Sequence, residues 1–377
     1  MTVEIIMEAV EKFLKQFLVQ VIGIFRPEKK IAPRDVPVNL FKRILIVRQH
    51  DQLGDLLITT PAIRAVRKRF PNAYIGVVVR EYTAPMMWEN PNVNEIIVFY
   101  ENFKKWNWPT LKGFWSQLRR DGGYDCAIVL NTVSRSLSSD IIAVLSKAKY
   151  IVGPSHIKAA PDTGEKIYNV ITPRSYKIQT EIEHNLDIIR ALGVQPDGFE
   201  YDLELENEER GQAESIIHSL GIHSSQVTIG VHFGTLDNTR RFPFAKLAKV
   251  IDWLKDHYEC EIILIVGPNE VDARTQLISL LKNKVVSAPV MPIRVAAAFI
   301  KQMRLFLCND TGTLHIASAM RVPTVSFHSL NDPAVWKPPH ARHIAVRAAD
   351  KKITSITVEQ VIEALKVQLK DYTPRET

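Results

Sequence analysis

Cysteine is scarce in this chain: Cys126, Cys260 and Cys308 are the only three in 377 residues. No two are spaced Cys-x-x-Cys, and each lies in an apolar run (DCAIVL, CEIILIV, LFLCND). Such residues read as buried, reduced thiols of a cytoplasmic protein rather than a disulfide framework or a redox or metal centre. Glycine is sparse as well, and no Gly-x-Gly occurs, which removes the dinucleotide fingerprint. A Walker loop, His-Glu-x-x-His and Gly-x-Ser-x-Gly are also missing. Asp-x-Asp, a common device for holding a metal on a nucleotide diphosphate, is absent too. A mechanism without metal is therefore favoured. In the first 25 residues there is no basic n-region, and Glu4, Glu8, Glu11, Lys12 and Lys15 break up any apolar run before the roughly 20 residues a membrane span needs. No internal repeat, low-complexity tract or coiled-coil heptad is visible.

What is present is the composition of a soluble globular protein, 46% apolar and 24% charged, long enough for two ordinary domains. Charge is uneven: residues 1–120 carry 19 Lys and Arg against 11 Asp and Glu, within a whole-chain net charge of +7. That surplus suits an anionic partner on the N-terminal half, or is a solvated basic surface. Apolar pairs at Ile5/Ile6, Ala9/Val10, Phe13/Leu14 and Phe17/Leu18 predict an amphipathic helix. Such a helix could dock on the protein, mediate self-association, or lie on an anionic membrane with Arg26, Lys29, Lys30 and Arg34 trailing. Residues 26–40, with three prolines among charges, read as an extended linker.

Two stretches share one grammar. In FKRILIVRQHDQLGDLLITTPAIRAVRKRF (41–70) and in RLFLCNDTGTLHIASA (304–319), a buried strand delivers an aspartate to the start of a helix. In open α/β sheets that point faces the ligand crevice. Thr60-Pro61 reads as an N-cap and first-turn proline, with Gly54–Thr59 a tight preceding turn. YIGVVV, EIIVFY and DCAIVLN continue as strands, with a helical stretch near Ala84–Glu89. ENFKKWNWPTLKGFWSQLRR interleaves aromatic and basic residues, and reads as a packing helix with a solvated face or as a flap meeting an amphiphilic anion. After YIVGP and a helix over 180–192, YDLEL (201–205) reads as a closing strand. The Pro196–Gly198 turn and the acidic run at 207–209 mark a domain boundary near 200–207. Strand–helix alternation then resumes through VTIGVHF, CEIILIVG, KVVSA, RLFLCN and VPTVSFH, the pattern of a second parallel sheet. An amphipathic helix over 356–369 closes the chain.

The start of the helix after Asn309-Asp310-Thr311-Gly312-Thr313 offers backbone N–H groups and a helix dipole to a phosphate. Gly312 permits close approach and the threonine hydroxyls can donate; alternatively Asp310 or Thr311 is simply an N-cap. Arg240 and Arg241 bring cationic charge to a second crevice loop, either as phosphate forks or as solvated surface.

ILIVRQHDQLGDLLITTPAIRAVRKRFPNAYIGVVV resembles the opening of the heptosyltransferase family (glycosyltransferase family 9), in which Gly-Asp follows the first strand and Thr-x-Pro follows soon after. FLCNDTGTLHIASAMRVPTVSFHSLNDPAVWKPP resembles that family's donor-site segment, with its Asp-Thr-Gly-x-x-His-x-Ala core. The resemblance covers most of residues 41–345. It implies an α/β, GT-B fold of two Rossmann-like parallel-sheet domains facing a central cleft: an acceptor domain over 41–205 and a nucleotide-sugar domain over 206–350, flanked by 1–40 and 351–377. It also implies inversion without metal or other cofactor, with ADP-heptose as donor co-substrate. The implied acceptor is an anionic lipopolysaccharide-core glycolipid, met in the cytoplasm or peripherally at the inner membrane face, with no nucleic acid as partner. Asp55 matches the catalytic base, with Gly54, Asp51 and Thr60 on the acceptor side. Asp310, Thr311, Gly312, Thr313, Leu314 and His315 match the donor segment. Thr235 and Arg240 match the phosphate loop, where arginine replaces a frequent lysine and Arg241 could take the same role. Asn269 or Glu270 matches a nucleotide-contacting position. The first loop is one residue longer than usual and adds Asp51. The other readings are a family member with a different sugar or acceptor, a non-catalytic nucleotide-sugar-binding protein, and a GT-B epimerase.

Overall fold

The computed structural model describes residues 29–372 other than 51, 134–135, 156–166, 174, 176 and 224–225. The predicted helix in the first 25 residues and Asp51 lie outside them. The chain divides after Phe199 into two compact units, the second beginning at Glu200.

The first unit is built on β1 (Arg43–Arg48), whose residues 44–47 are apolar and fully buried, as a strand covered on both faces requires. β2 (Tyr74–Arg80), β3 (Glu95–Phe99), β4 (Cys126–Val129), β5 (Tyr150–Pro154) and β6 (Val170–Thr172) complete a six-stranded sheet in the order β3-β2-β1-β4-β5-β6. Every pairing is parallel. The order reverses between β1 and β4, so the carboxyl ends of those two strands form the switch point at which such sheets open a crevice.

The helix that follows β1 runs Leu53–Arg69, so the expected turn over Gly54–Thr59 is helical and Thr60-Pro61 lies inside it. Pro61 has no N–H to offer the carbonyl of Leu57, one turn back. The Thr60 hydroxyl donates to that carbonyl at 2.7 Å, which keeps it satisfied and lets the helix pass through the proline. The true N-cap is Gln52, in a capping box with Asp55 at N3.

Two further expectations change. From residue 29 on, the linker is not simply extended: Pro33–Asp35 and Val38–Leu40 form short 3-10 turns, Val36 is buried, and the Ile31 amide donates to Asn169 O at 2.8 Å. The stretch near Ala84–Glu89 is a 3-10 turn over Ala84–Met87.

The second unit repeats the architecture with β7 (Val227–His232), β8 (Cys260–Leu264), β9 (Val286–Ser287), β10 (Leu305–Asn309), β11 (Thr324–His328) and β12 (His343–Arg347), ordered β12-β11-β10-β7-β8-β9 and parallel throughout. Its switch point lies between β7 and β10. Residues 201–205 pair with no strand. Tyr201, Leu203 and Leu205 are buried in alternation, which gives the segment a strand's pattern without a strand's partner. It is held instead through Arg294, which donates to Glu204 O at 2.8 Å and forks onto the Glu209 carboxylate. The closing helix is Val358–Gln368. Each unit has a separate apolar core, and the three cysteines are buried free thiols. No helix among the described residues is long and apolar enough to cross a membrane.

Candidate functional site

β10 ends on Asn309, which is almost fully buried. Its side-chain amide donates to Phe233 O, and its carbonyl accepts from the Phe242 amide, both at 2.9 Å. One asparagine thereby clamps both ends of the 233–242 loop against β10. The clamp sets Arg240, at the end of a 3-10 turn capped by Asp237, opposite Asp310. Arg240 Nη2 lies 2.9 Å from Asp310 Oδ2, and the same oxygen accepts from Asn331 Nδ2 at 2.7 Å.

The next residues open the Gly312–Ala319 helix. Thr311 occupies the N-cap position but makes no side-chain cap bond, and the Asp310 carboxylate is committed to Arg240 and Asn331. The Thr311 hydroxyl instead meets the Thr313 hydroxyl at 3.0 Å, and the latter lies 3.2 Å from His232 Nδ1. The start of this helix is therefore not consumed by its own cap, and the amides and dipole keep their capacity for an anion. Leu314 is buried, and His315 turns inward, with Nδ1 3.3 Å from the Tyr201 hydroxyl.

A second chain of contacts runs from β7. His232 Nε2 meets Glu270 Oε2 at 3.2 Å, and that oxygen also accepts from the Gly267 amide at 2.7 Å. Burial alone would raise the Glu270 carboxyl, but the hydrogen bond and charge of His232, the Gly267 amide and Arg241 together hold it below the usual carboxylate range. A Cβ on Gly234 would overlap this carboxylate, so the close approach requires glycine there. Of the two candidates at this turn, Glu270 joins the cluster, whereas Asn269 is exposed. Thr235 donates to Asp237 O, which shapes the loop. Arg241 hydrogen-bonds Asn238, and its guanidinium lies 5.3 Å from the Phe244 ring centre; its Nε is buried without a partner.

In the first unit, Asp55 Oδ2 accepts from the Gln52 amide at 2.8 Å, and Oδ1 lies 3.7 Å from Nη2 of Arg48, which is 2% exposed. Gly54 is buried in the first helical turn, and Thr60 is wholly buried with its hydroxyl turned to the helix backbone. Gln49 Nε2 lies within 3.1 Å of the hydroxyls of Ser136, Ser138 and Ser139, a polar cluster joining the end of β1 to the start of the Leu137–Leu145 helix.

Sequence reasoning named Asn309 only as part of the run that opens the helix, and did not single out His232, Asn331, Arg48, Gln49 or His328, whose Nδ1 lies 3.9 Å from Asp310 Oδ2. Their common signal is position, since each ends a strand or opens the loop after one at a carboxyl edge. Among the described residues no group of three or more His, Cys, Asp or Glu is placed to hold a metal ion.

The model of glycosyltransferase family 9 (heptosyltransferase) matches residues 112–365. The chain belongs to this family. It is 22% identical over 302 residues to lipopolysaccharide heptosyltransferase 3 of Escherichia coli, across 76% of this chain and 83% of that one. Among solved structures, a family 9 glycosyl transferase from Veillonella parvula matches with a TM-score of 0.76 at 22% identity, over 88% of this chain and 97% of that one. The E. coli heptosyltransferase WaaC with ADP-2-deoxy-2-fluoro heptose matches with a TM-score of 0.68 at 19% identity, over 86% and 99%. As a family 9 member the protein is a glycosyltransferase, and its two parallel six-stranded sheets are the α/β fold of these heptosyltransferases.

Proposed function

We propose that this family 9 glycosyltransferase moves a heptose from ADP-heptose to an anionic lipopolysaccharide-core glycolipid at the cytoplasmic face of the inner membrane, with inversion and without a metal. The observation that carries the reading is the Arg240–Asp310 pair beside the uncapped start of the Gly312–Ala319 helix. A cation fork and free amides at one switch point suit a diphosphate, and they stabilise it most when it gains charge as a leaving group. ADP as the nucleotide is supported by the WaaC structure, whose bound molecule is an ADP-heptose analogue.

In this reading the first unit takes the acceptor and the second the donor. The acceptor hydroxyl oxygen attacks the anomeric carbon from the face opposite the diphosphate. The bond from that carbon to the diphosphate oxygen breaks, and the hydroxyl proton passes to the Asp55 carboxylate. Arg48 orients that carboxylate, and Arg240 exchanges Asp310 for phosphate oxygens as the donor arrives. Thr311, Thr313 and the Gly312 amide complete the anion cradle, with Glu270 on the nucleotide side.

Asp55→Asn tests this best, because asparagine can still accept from the Gln52 amide but takes no proton. Transfer to a lipopolysaccharide-core acceptor should fall by about 10²-fold or more, while ADP binding stays near wild type. Near-wild-type turnover would remove Asp55 as the base. Isomerised free nucleotide-sugar without acceptor would displace the transferase reading in favour of an epimerase.

A further inference from the structure

The Trp108–Leu118 helix carries more apolar surface than its own unit uses. Phe114 and Leu118 are buried, with Phe114 edge-on to Trp106 at 5.2 Å and to Phe99 at 6.1 Å between ring centres. Trp108, Leu111 and Trp115 are 75%, 45% and 41% exposed. At about 100° per residue, positions 114 and 118 occupy one half of an apolar arc roughly 120° wide, and 111, 115 and 108 occupy the other half. Scattered single apolar residues on a surface are ordinary, but two tryptophans and a leucine on one continuous helical face are not.

The border of that half is basic. Lys112 and Arg119 follow it around the helix, and Lys104 and Lys105 form the 3-10 turn just before it. Arg119 lies over the Trp115 ring at 3.9 Å while its Nε donates to Leu145 O at 3.0 Å. From residue 102 to 120 there are five Lys and Arg and no Asp or Glu. Two of the cations have acidic partners from outside the segment: Lys105 pairs with Glu81 at 2.6 Å and Arg120 with Glu95 at 2.9 Å. Lys104 and Lys112 are exposed. The start of the helix is well capped, with Asn107 and Thr110 in a reciprocal capping box and proline in the first turn.

From this geometry we infer that the Trp108/Leu111/Trp115 face docks on an anionic lipid bilayer. Indole rings partition to the level of the headgroups, and a basic border adds attraction to acidic phosphates. The complementarity is to a surface both apolar and negatively charged. The inference stands on the helix alone, whichever sugar is transferred.

Full-length protein is mixed with vesicles of phosphatidylethanolamine and phosphatidylglycerol, or of phosphatidylcholine only, and bound protein is measured by sedimentation. Wild type should bind the phosphatidylglycerol vesicles in a salt-sensitive way and the neutral vesicles weakly. Trp108→Ala/Leu111→Ser/Trp115→Ala should lower partitioning roughly tenfold, and Lys104→Glu/Lys112→Glu should remove most of the preference for phosphatidylglycerol. Circular dichroism and the urea midpoint, neither of which needs a ligand, report that the variants are folded. If the triple variant fails that control, Trp108→Ala alone, at the most exposed position, carries the test and should weaken binding measurably. Absence of wild-type binding to anionic vesicles would overturn the inference, as would undiminished binding of the folded variants. An oligomer of wild type that the triple variant breaks to monomers would overturn it too, by assigning the face to a second copy of the chain.

Discussion

Asp55 holds two positions at once. Its carboxylate is half of the capping box that starts the Leu53–Arg69 helix, and it is the base proposed for transfer. Asp55→Ala therefore loses stability, by about 1 kcal/mol for the cap, as well as activity, and Asp55→Asn separates the two effects. Gly234 is coupled to Glu270 in a similar way. A Cβ there must push the carboxylate off His232 and the Gly267 amide, so Gly234→Ala should cost about 1–3 kcal/mol in urea unfolding and weaken ADP binding. Gly267→Ala, whose Cβ would meet the carboxylate only at ordinary contact distance, should be much milder. Two buried histidines set the pH response. Burial holds His328 well below the ordinary imidazole value, against the pull of Asp310; His343 is held down to about 3 by burial and by the charges of Lys337 and Arg342. The unfolded chain takes up protons near the ordinary 6.5 that the folded chain refuses, so stability should fall as pH drops from about 6.5 towards 4. Glu270 has the depressed pKa of a stabilised carboxylate, and its contribution is lost only at lower pH, beneath the ordinary carboxylate value. Urea midpoints at pH 7, 5 and 4 should decline in that order. His343→Gln should flatten the upper part of the curve and Glu270→Gln the lower.

At the scale of elements, the Trp108–Leu118 helix shows how one amphipathic segment divides its duties. Phe114 carries its packing, through contacts with Trp106 and Phe99. Phe114→Ala should cost about 3–5 kcal/mol in urea unfolding, whereas Trp108→Ala should cost under about 0.5 kcal/mol because its ring is mostly in water. Trp108 losing as much stability as Phe114 would mean that its ring is packed. Much of the fold was legible in the sequence: the strands at 44–47, 74–79, 227–232 and 305–309 announced themselves as largely apolar runs. The start of the helix after β1 was not, because Thr60-Pro61 imitates an N-terminus. Only the back-bond from Thr60 to Leu57 O shows how the helix continues through the proline. The alternation over residues 201–205 was likewise real as burial and misleading as a strand, since hydrogen-bond partners are not encoded in a period of two.

For the whole molecule, two units with separate cores mean that a ligand adds stability where it binds. Nucleotide at 100 times its Kd should raise the unfolding free energy of the unit that holds it by about 2.7 kcal/mol. Calorimetry with ADP-, UDP-, GDP- and CMP-linked sugars should show that shift with the ADP series. Trp253 and Trp336 report on the unit from Glu200 onward, and Trp88, Trp106, Trp108 and Trp115 on the one before it. A shift with UDP-sugars and none with ADP-sugars would overturn the proposed donor.

Composition and pattern by themselves determined the α/β class, the repetition of a strand-to-helix unit, the family motifs at Gly54-Asp55 and Asp310–His315, and the basic N-terminal half. These are local properties, carried by runs, spacings and counts. The tertiary structure decided which polar groups meet: Arg240 with Asp310, His232 with Glu270 and Thr313, and Asn309 with both ends of the 233–242 loop. It also decided that Glu270 rather than Asn269 turns inward, and that Thr311 leaves the helix amides free. Those outcomes depend on strand order, because β7 and β10 are neighbours in the sheet though more than 70 residues apart in the chain, and no local pattern specifies which carboxyl ends will lie side by side.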